Sequence, residues 1–181
     1  MTGAKRRPSQ KTFLLDLLDE AFDRRAWHGT TLLGSVRGVD VDLAAWRPLP
    51  RRHNIWELVA HAAYWKYAVR RRLTGEKRGA FALKGSNWFL RPSSGIRGGG
   101  GTDDDRRQWK DDVRLLVDEH ARLREAVAAV PVRTIDGPIG PQRAGTKGPP
   151  VTRGFLIRGI AAHDLYHAGQ IQLLKRLRGP R

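Results

Sequence analysis

The sequence predicts an all-α protein, arranged as a four-helix bundle with long crossover loops. Four segments repeat their apolar residues at the 3.6-residue period of a helix, so each has one face suited to burial. Signals for β-strands are weak along the whole chain. Four amphipathic helices of such length bury their apolar faces most economically by packing around a shared core.

The composition is that of one globular domain. The chain has 181 residues, of which 40% are hydrophobic and 29% are charged, values that are ordinary for a soluble protein. No apolar run approaches the roughly 20 residues that a membrane-spanning helix requires. We therefore expect a single domain over residues 1–181, with residues 1–8 as a disordered tail, located in the cytoplasm without membrane association.

The first predicted helix runs from about Ser9 to Ser35, with Ser9 as its N-terminal cap directly after Pro8. The segment begins basic and then turns apolar, as a secretory signal does. Acidic residues interrupt the apolar stretch at helical spacing, however, so an amphipathic helix is the better interpretation. Its inward stripe consists of Leu14, Leu18, Ala21, His28 and Leu32.

The second predicted helix runs from Asn54 to about Thr74. Asn54 and Glu57 have the spacing of a capping box, in which each side chain accepts a hydrogen bond from the backbone N–H of the other residue. His61 lies at the edge of the apolar face. That face consists of Ile55, Leu58, Ala62, Trp65, Val69 and Leu73.

The third and fourth predicted helices begin at Thr102 and at about Thr152, and the fourth ends near Leu177. Three aspartates follow Thr102 and suit the positive end of a helix dipole. The third helix directs inward Trp109, Val113, Leu116, His120, Leu123, Val127 and Val130. The fourth helix directs inward Leu156, Ile160, His163, His167, Ile171 and Leu174.

The connections between these helices are unequal in length. Between the first two, Asp40 to Trp46 is predicted to form one short helical turn that ends before Pro48. Residues 75–101 and 131–152 are predicted to be long loops, because both are rich in glycine and proline. Loops of this length in a compact domain are commonly functional or mobile.

The chain carries a large positive charge. Its formal net charge is +16, from 34 basic and 18 acidic residues, and such an excess favours binding to polyanions. The arginines are scattered in short pairs, however, and Arg70–Arg72 is the one arginine triplet. A solvated basic surface is the simpler interpretation, and a nucleic-acid partner stays open as the alternative.

Two histidines four residues apart, His163 and His167, provide the strongest functional signal. On a helix this spacing puts both imidazoles on one face with Cβ atoms about 5–6 Å apart, near enough to bind one metal ion. His61 faces the same interior from the second helix. The chain has no cysteine, so histidines and carboxylates are the ligands to expect. A single histidine on an apolar stripe is usually a core residue, but three imidazoles from two helices would form an open metal site.

Three stretches also resemble a known family: AWHGTTLLGSVRGVD, HNIWELVAHAAYWKYAVRRRLTG and HDLYHAGQIQLLKR. Together they resemble the DinB-like (YfiT-like) family of bacterial four-helix-bundle metalloproteins. The resemblance implies a divalent metal ion, usually zinc or nickel, held by His61, His163 and His167. Some relatives are S-transferases that use a low-molecular-weight thiol such as bacillithiol or mycothiol, and others are isomerases or hydrolases. Many members have no known activity, and members are often homodimers. For this chain the expected partners are a small-molecule substrate and a second copy in a homodimer.

Three further residues are candidates for contacts with substrate or for support of the metal ligands. His28, on the inner stripe of the first helix, could line the pocket or be a core residue. Gln170 lies within one turn of both histidines of the pair, and could instead be an interhelical or surface residue. Tyr64 could supply an aromatic wall together with Trp65 and Trp88, although aromatics at helical spacing are more often core.

The leading hypothesis is a metal-dependent enzyme, an S-transferase or a hydrolase, that activates a thiol or water. Coordination favours the thiolate form of a thiol whose ordinary pKa is about 8.5, and an arginine near the pocket could bind the carboxylate of such a cosubstrate. The alternatives are a basic nucleic-acid-binding protein and a non-catalytic metal-binding bundle. His120 is expected to be a core or supporting residue, and His53 an exposed or capping residue.

Overall fold

The computed structural model describes residues 9–93, 101–140 and 148–179. Over these residues the chain is helical and has no β-strand, so the predicted all-α class is confirmed. The predicted tail at residues 1–8 lies outside the described part. The helices in chain order are α1 (Gln10–Phe22), α2 (Leu32–Val36), α3 (Val41–Ala45), α4 (Ile55–Thr74), α5 (Asp103–Ala129) and α6 (Arg153–Arg178), with a 3-10 turn at Val132–Thr134.

The prediction of one continuous first helix to Ser35 is wrong. After α1 the chain turns, and Gly29 adopts a φ of +96°, a conformation that breaks a helix and that glycine accepts without strain. Thr31 then starts α2 as a cap, because its hydroxyl accepts a hydrogen bond from the backbone N–H of Gly34 at 3.1 Å. The inward stripe predicted for this segment is therefore interrupted. The short turn predicted between Asp40 and Trp46 is present as α3.

Side-chain caps fix the starts of the long helices. Asn54 caps α4 by accepting from the N–H of Glu57 at 2.9 Å, but the predicted capping box does not form there. The Glu57 carboxylate instead accepts hydrogen bonds from Arg47, at 2.5 Å and 3.0 Å. A reciprocal capping box does form at the start of α5, between Thr102 and Asp105.

The long helices contact one another in pairs. Helix α4 contacts α5 and α6, and α1 contacts the same two helices. The four-helix-bundle arrangement stays a prediction. Two apolar clusters fill the interior. One is centred on Trp56 and Leu116 near α2 and α3, and the other on Leu18 and Leu123 between α1, α5 and α6. None of the described helices is long and apolar enough to cross a membrane.

The segment after α4 folds back onto that helix. The Tyr67 hydroxyl accepts hydrogen bonds from the backbone N–H groups of Gly79 and Ala80, each at 3.2 Å. Phe89 is buried against the same surface. These contacts hold Trp88 against α4 at His61. Residues 94–100 and 141–147, which fall in the two predicted loops, lie outside the described residues.

A buried ion pair joins α4 to α6. Lys66 donates a hydrogen bond to Asp164, and both side chains are 0% exposed. Burial raises the pKa of Asp164 and lowers the pKa of Lys66, while the attraction between the two groups opposes both shifts. His120 lies 3.4 Å from the Lys66 ammonium and stacks on Phe22 with ring centroids 3.7 Å apart. Burial, with Lys66 nearby, lowers the pKa of His120 to about 3, so its imidazole is neutral.

Removal of one partner of this ion pair should destabilise the protein strongly. In Asp164→Ala, Lys66 remains buried without its counter-charge, and we expect a loss of about 3–5 kcal/mol in the free energy of unfolding. In the double variant Lys66→Met with Asp164→Leu, apolar side chains fill the same space, and the loss should be much smaller. Guanidinium unfolding measures both. Equal losses in the two proteins would contradict this assignment.

Candidate metal centre

The structure brings together the three histidines of the predicted triad. His61 comes from α4, and His163 and His167 come from adjacent turns of α6. The Nε2 atom of His163 lies 3.2 Å from that of His61 and 3.0 Å from that of His167. One nitrogen from each ring lies within 4.8 Å of the other two. His61 and His167 are buried, and His163 is partly buried.

Two hydrogen bonds determine where the imidazole protons are. The Nδ1–H of His61 donates to the backbone carbonyl of Asn87 at 2.6 Å, and the Nδ1–H of His167 donates to Gln170 Oε1 at 2.6 Å. The Nε2 atoms of both rings therefore present lone pairs toward His163. Gln170 thus contacts a member of the triad. Asn87 was not singled out in the sequence, because a backbone carbonyl in a loop leaves no side-chain signal.

The three imidazoles are neutral at pH 7. Burial lowers the pKa of His163 to about 3, with further contributions from His167 and His61, and burial lowers the pKa of His167 to about 4. Burial also lowers the pKa of His61, against the hydrogen bond to Asn87. Neutral imidazole is the form that binds metal ions.

The Nε2 atoms of the three rings face one small space. A cation placed there would be stabilised by lone pairs from all three. A proton on His163 Nε2 could satisfy only one of the two lone pairs that face it. His163 Nδ1 has no hydrogen-bond partner among the described residues. The ligands of a tetrahedral zinc ion, each about 2.0–2.1 Å from the metal, lie about 3.3 Å apart. The two Nε2 distances from His163, 3.2 Å and 3.0 Å, are close to this spacing. The arrangement fits a metal-binding role.

Two tryptophans fix the orientation of the triad. Trp88 stacks on the His61 ring with centroids 3.8 Å apart, and it also stacks on His53 at 3.7 Å. Trp65 meets His61 and His163 edge-on, at 6.2 Å and 6.1 Å. His53 is exposed, as expected, and its Nδ1 lies 2.9 Å from the buried Glu57 carboxylate. Aromatic walls therefore enclose the His61 side of the site.

The other two candidates lie elsewhere. His28 is exposed in the turn that follows α1, because the predicted helix ends before it, so its place on an inner stripe is wrong. Tyr64 is half-buried and packs against Trp65, Phe81 and Phe89 with ring centroids 5.4–5.8 Å apart. The substrate contacts predicted for these two residues stay predictions.

The triad should make the metal-free protein sensitive to acid. The pKa values of His163 and His167 in the folded chain lie below the ordinary value of 6.5, so the unfolded chain takes up protons first. The free energy of unfolding should have its full value above about pH 6.5. Below that pH it should fall, by at most about 1.4 kcal/mol per pH unit for each histidine. Urea unfolding of chelator-treated protein at about pH 7 and about pH 5 measures the loss.

The matched control for this pH dependence is His163→Asn, which removes one of the titrating groups. Its free energy of unfolding should change less between the two pH values than that of the parent protein. An equal pH dependence in both proteins would contradict the depressed pKa of His163.

Comparison with known proteins places this site in a family. The family model of the DinB superfamily matches residues 22–171, a range that contains all three histidines. Comparison with curated proteins and with solved structures gave no significant match. Because the family match spans well over half of the sequence, the chain belongs to the DinB superfamily.

Proposed function

We propose that this protein is a metal-dependent enzyme in which His61, His163 and His167 hold a divalent ion, zinc or nickel. In this proposal the site activates a low-molecular-weight thiol or water for a transferase or hydrolase reaction. The observation that carries the proposal is the convergence of three neutral imidazoles, with Nε2 atoms 3.0 Å and 3.2 Å apart in successive pairs. Membership of the DinB superfamily supports the same role.

The type of ligand atom favours zinc or nickel over calcium or magnesium. Imidazole nitrogen suits zinc, nickel, copper and iron, whereas calcium and magnesium prefer oxygen ligands. Across the described ranges, no other group of three histidine or acidic side chains comes close enough together to hold an ion. The metal chemistry is therefore assigned to this one cluster.

Three protein ligands leave a position open on a four-coordinate ion, as is typical of catalytic sites. When bound, a divalent cation supplies Lewis acidity, which lowers the pKa of a thiol or of water. The chain's own residues hold the donor atoms in place. The Asn87 carbonyl orients His61, Gln170 orients His167, and Trp88 shields one face of the His61 ring from water.

Metal content and turnover test the proposal together. Protein purified without an affinity tag should contain about one zinc or nickel ion per chain, and His163→Ala should lose most of it. The metal-loaded parent should conjugate a small thiol to chlorodinitrobenzene, or hydrolyse a nitrophenyl ester, faster than His163→Ala does. Elemental analysis and absorbance assays provide the two measurements.

The control variant for metal content is His28→Ala, because His28 is exposed and lies outside the triad. It should retain the metal content of the parent. A parent protein that binds no metal would contradict the proposal. A parent that binds metal without any turnover would restrict the protein to a non-catalytic metal-binding role.

Gln170 should strengthen metal binding through His167. In Gln170→Ala the Nδ1–H of His167 loses its acceptor, and we expect metal affinity to fall by about 10–100-fold. Gln170→Glu keeps an acceptor at the same place and should bind metal at least as tightly as the parent. Competition with a chromophoric chelator measures the affinities. Unchanged affinity in Gln170→Ala would show that this hydrogen bond does not support the site.

A further inference from the structure

We infer that the cleft between α4 and α6 beside His163 binds the apolar part of the small molecule on which the site acts, and that Arg72 binds an anionic group of the same molecule. The inference rests on the proposed function, because it takes the metal centre as the place of reaction. It narrows the substrate class to molecules that combine a ring or short alkyl group with a carboxylate or similar anion.

The cleft reaches the triad at His163. His163 forms part of its lining, and so does Trp65, which contacts the rings of His61 and His163. On α6 the lining extends from His163 back to Phe155, eight residues away, which corresponds to about 12 Å along the helix. A molecule in the cleft therefore has one end beside His163, one of the three proposed metal ligands.

The size and lining of the cleft suit a small apolar group. Its volume is about 160 Å³, and cavities of about 150 Å³ lined by apolar side chains hold benzene. Val69 of α4 and Leu156 and Ile160 of α6 supply apolar walls. A phenyl ring or a short alkyl chain would fill this volume, whereas a sugar or a nucleotide would leave polar groups without partners.

Among the described residues that line the cleft, Arg72 is the one with a charged side chain, and this side chain is available to bind a ligand. Arg72 is exposed, and its side chain makes no ion pair or hydrogen bond with any other described residue. Its neighbour Arg70, by contrast, pairs with Glu76 and Glu119. A free guanidinium at the rim of an apolar cleft can bind a carboxylate through two hydrogen bonds.

Gly159 keeps the cleft open. A glycine inside a helix lowers helix stability, and Gly159 stands within α6 where that helix lines the cleft. A Cβ placed on Gly159 would meet no neighbouring heavy atom within 4 Å, so a side chain there would extend into the cleft without a clash. Gly169, on the same helix, is equally unhindered but does not line the cleft.

Three hydroxamates test the inference on the zinc-loaded full-length protein. Acetohydroxamate binds the metal with almost no apolar group, benzohydroxamate adds a phenyl ring, and para-carboxybenzohydroxamate adds an anion. Calorimetry should show that benzohydroxamate binds about tenfold more tightly than acetohydroxamate, because its ring enters the cleft. The carboxylated compound should bind more tightly again.

Three variants test which residues cause these increases in affinity. Gly159→Leu should abolish the advantage of the phenyl ring and leave acetohydroxamate binding unchanged, whereas the control Gly169→Leu should keep both affinities. Arg72→Gln should remove only the gain from the carboxylate.

Two results would overturn the inference. Equal affinity of the parent for acetohydroxamate and benzohydroxamate would overturn the cleft assignment and leave the metal centre standing. A parent protein that takes up no zinc and binds none of the three compounds would overturn the proposed function and this inference with it.

Discussion

The register between α4 and α6 is the constraint on which the rest of the structure depends. Two consecutive residues of α6, His163 and Asp164, meet His61 and Lys66 of α4, so one pair of helices carries both the triad and the buried ion pair. Neither charge of the ion pair could remain in the core alone without a large cost. A shift of α6 along α4 by one turn, about 5.4 Å, would break the ion pair and separate the histidines at the same time. The packing of α6 on α4 that keeps the ion pair together in the core therefore also brings the three histidines together.

The segment after α4 completes the site from outside the helices. Backbone hydrogen bonds to Tyr67 and the burial of Phe89 hold this segment against α4, with Trp88 stacked on His61. The same segment supplies the Asn87 carbonyl that fixes the proton on His61 Nδ1 and leaves Nε2 as a donor atom. The long connection thus has a physical role, because it determines the protonation and orientation of a metal ligand that lies on a helix.

The sequence predicted the parts of this protein that depend on local periodicity. The spans of α4, α5 and α6 follow from their apolar stripes and caps, and the face shared by His163 and His167 follows from helical spacing. The break after α1 was missed because Leu32 continues the apolar pattern of α1 beyond a turn that the backbone of Gly29 makes. The Asn87 contact and the cleft at Gly159 depend on how separate segments pack against each other, and no local pattern records that.

The central claim is that the imidazoles of His61, His163 and His167 converge on one divalent ion and leave part of its coordination open. X-ray absorption spectroscopy of the zinc-loaded protein tests it most directly. We expect three imidazole nitrogens at about 2.0–2.1 Å and at least one further light atom from solvent or substrate. A spectrum with fewer than three imidazole ligands, or one unchanged in His163→Ala, would contradict it.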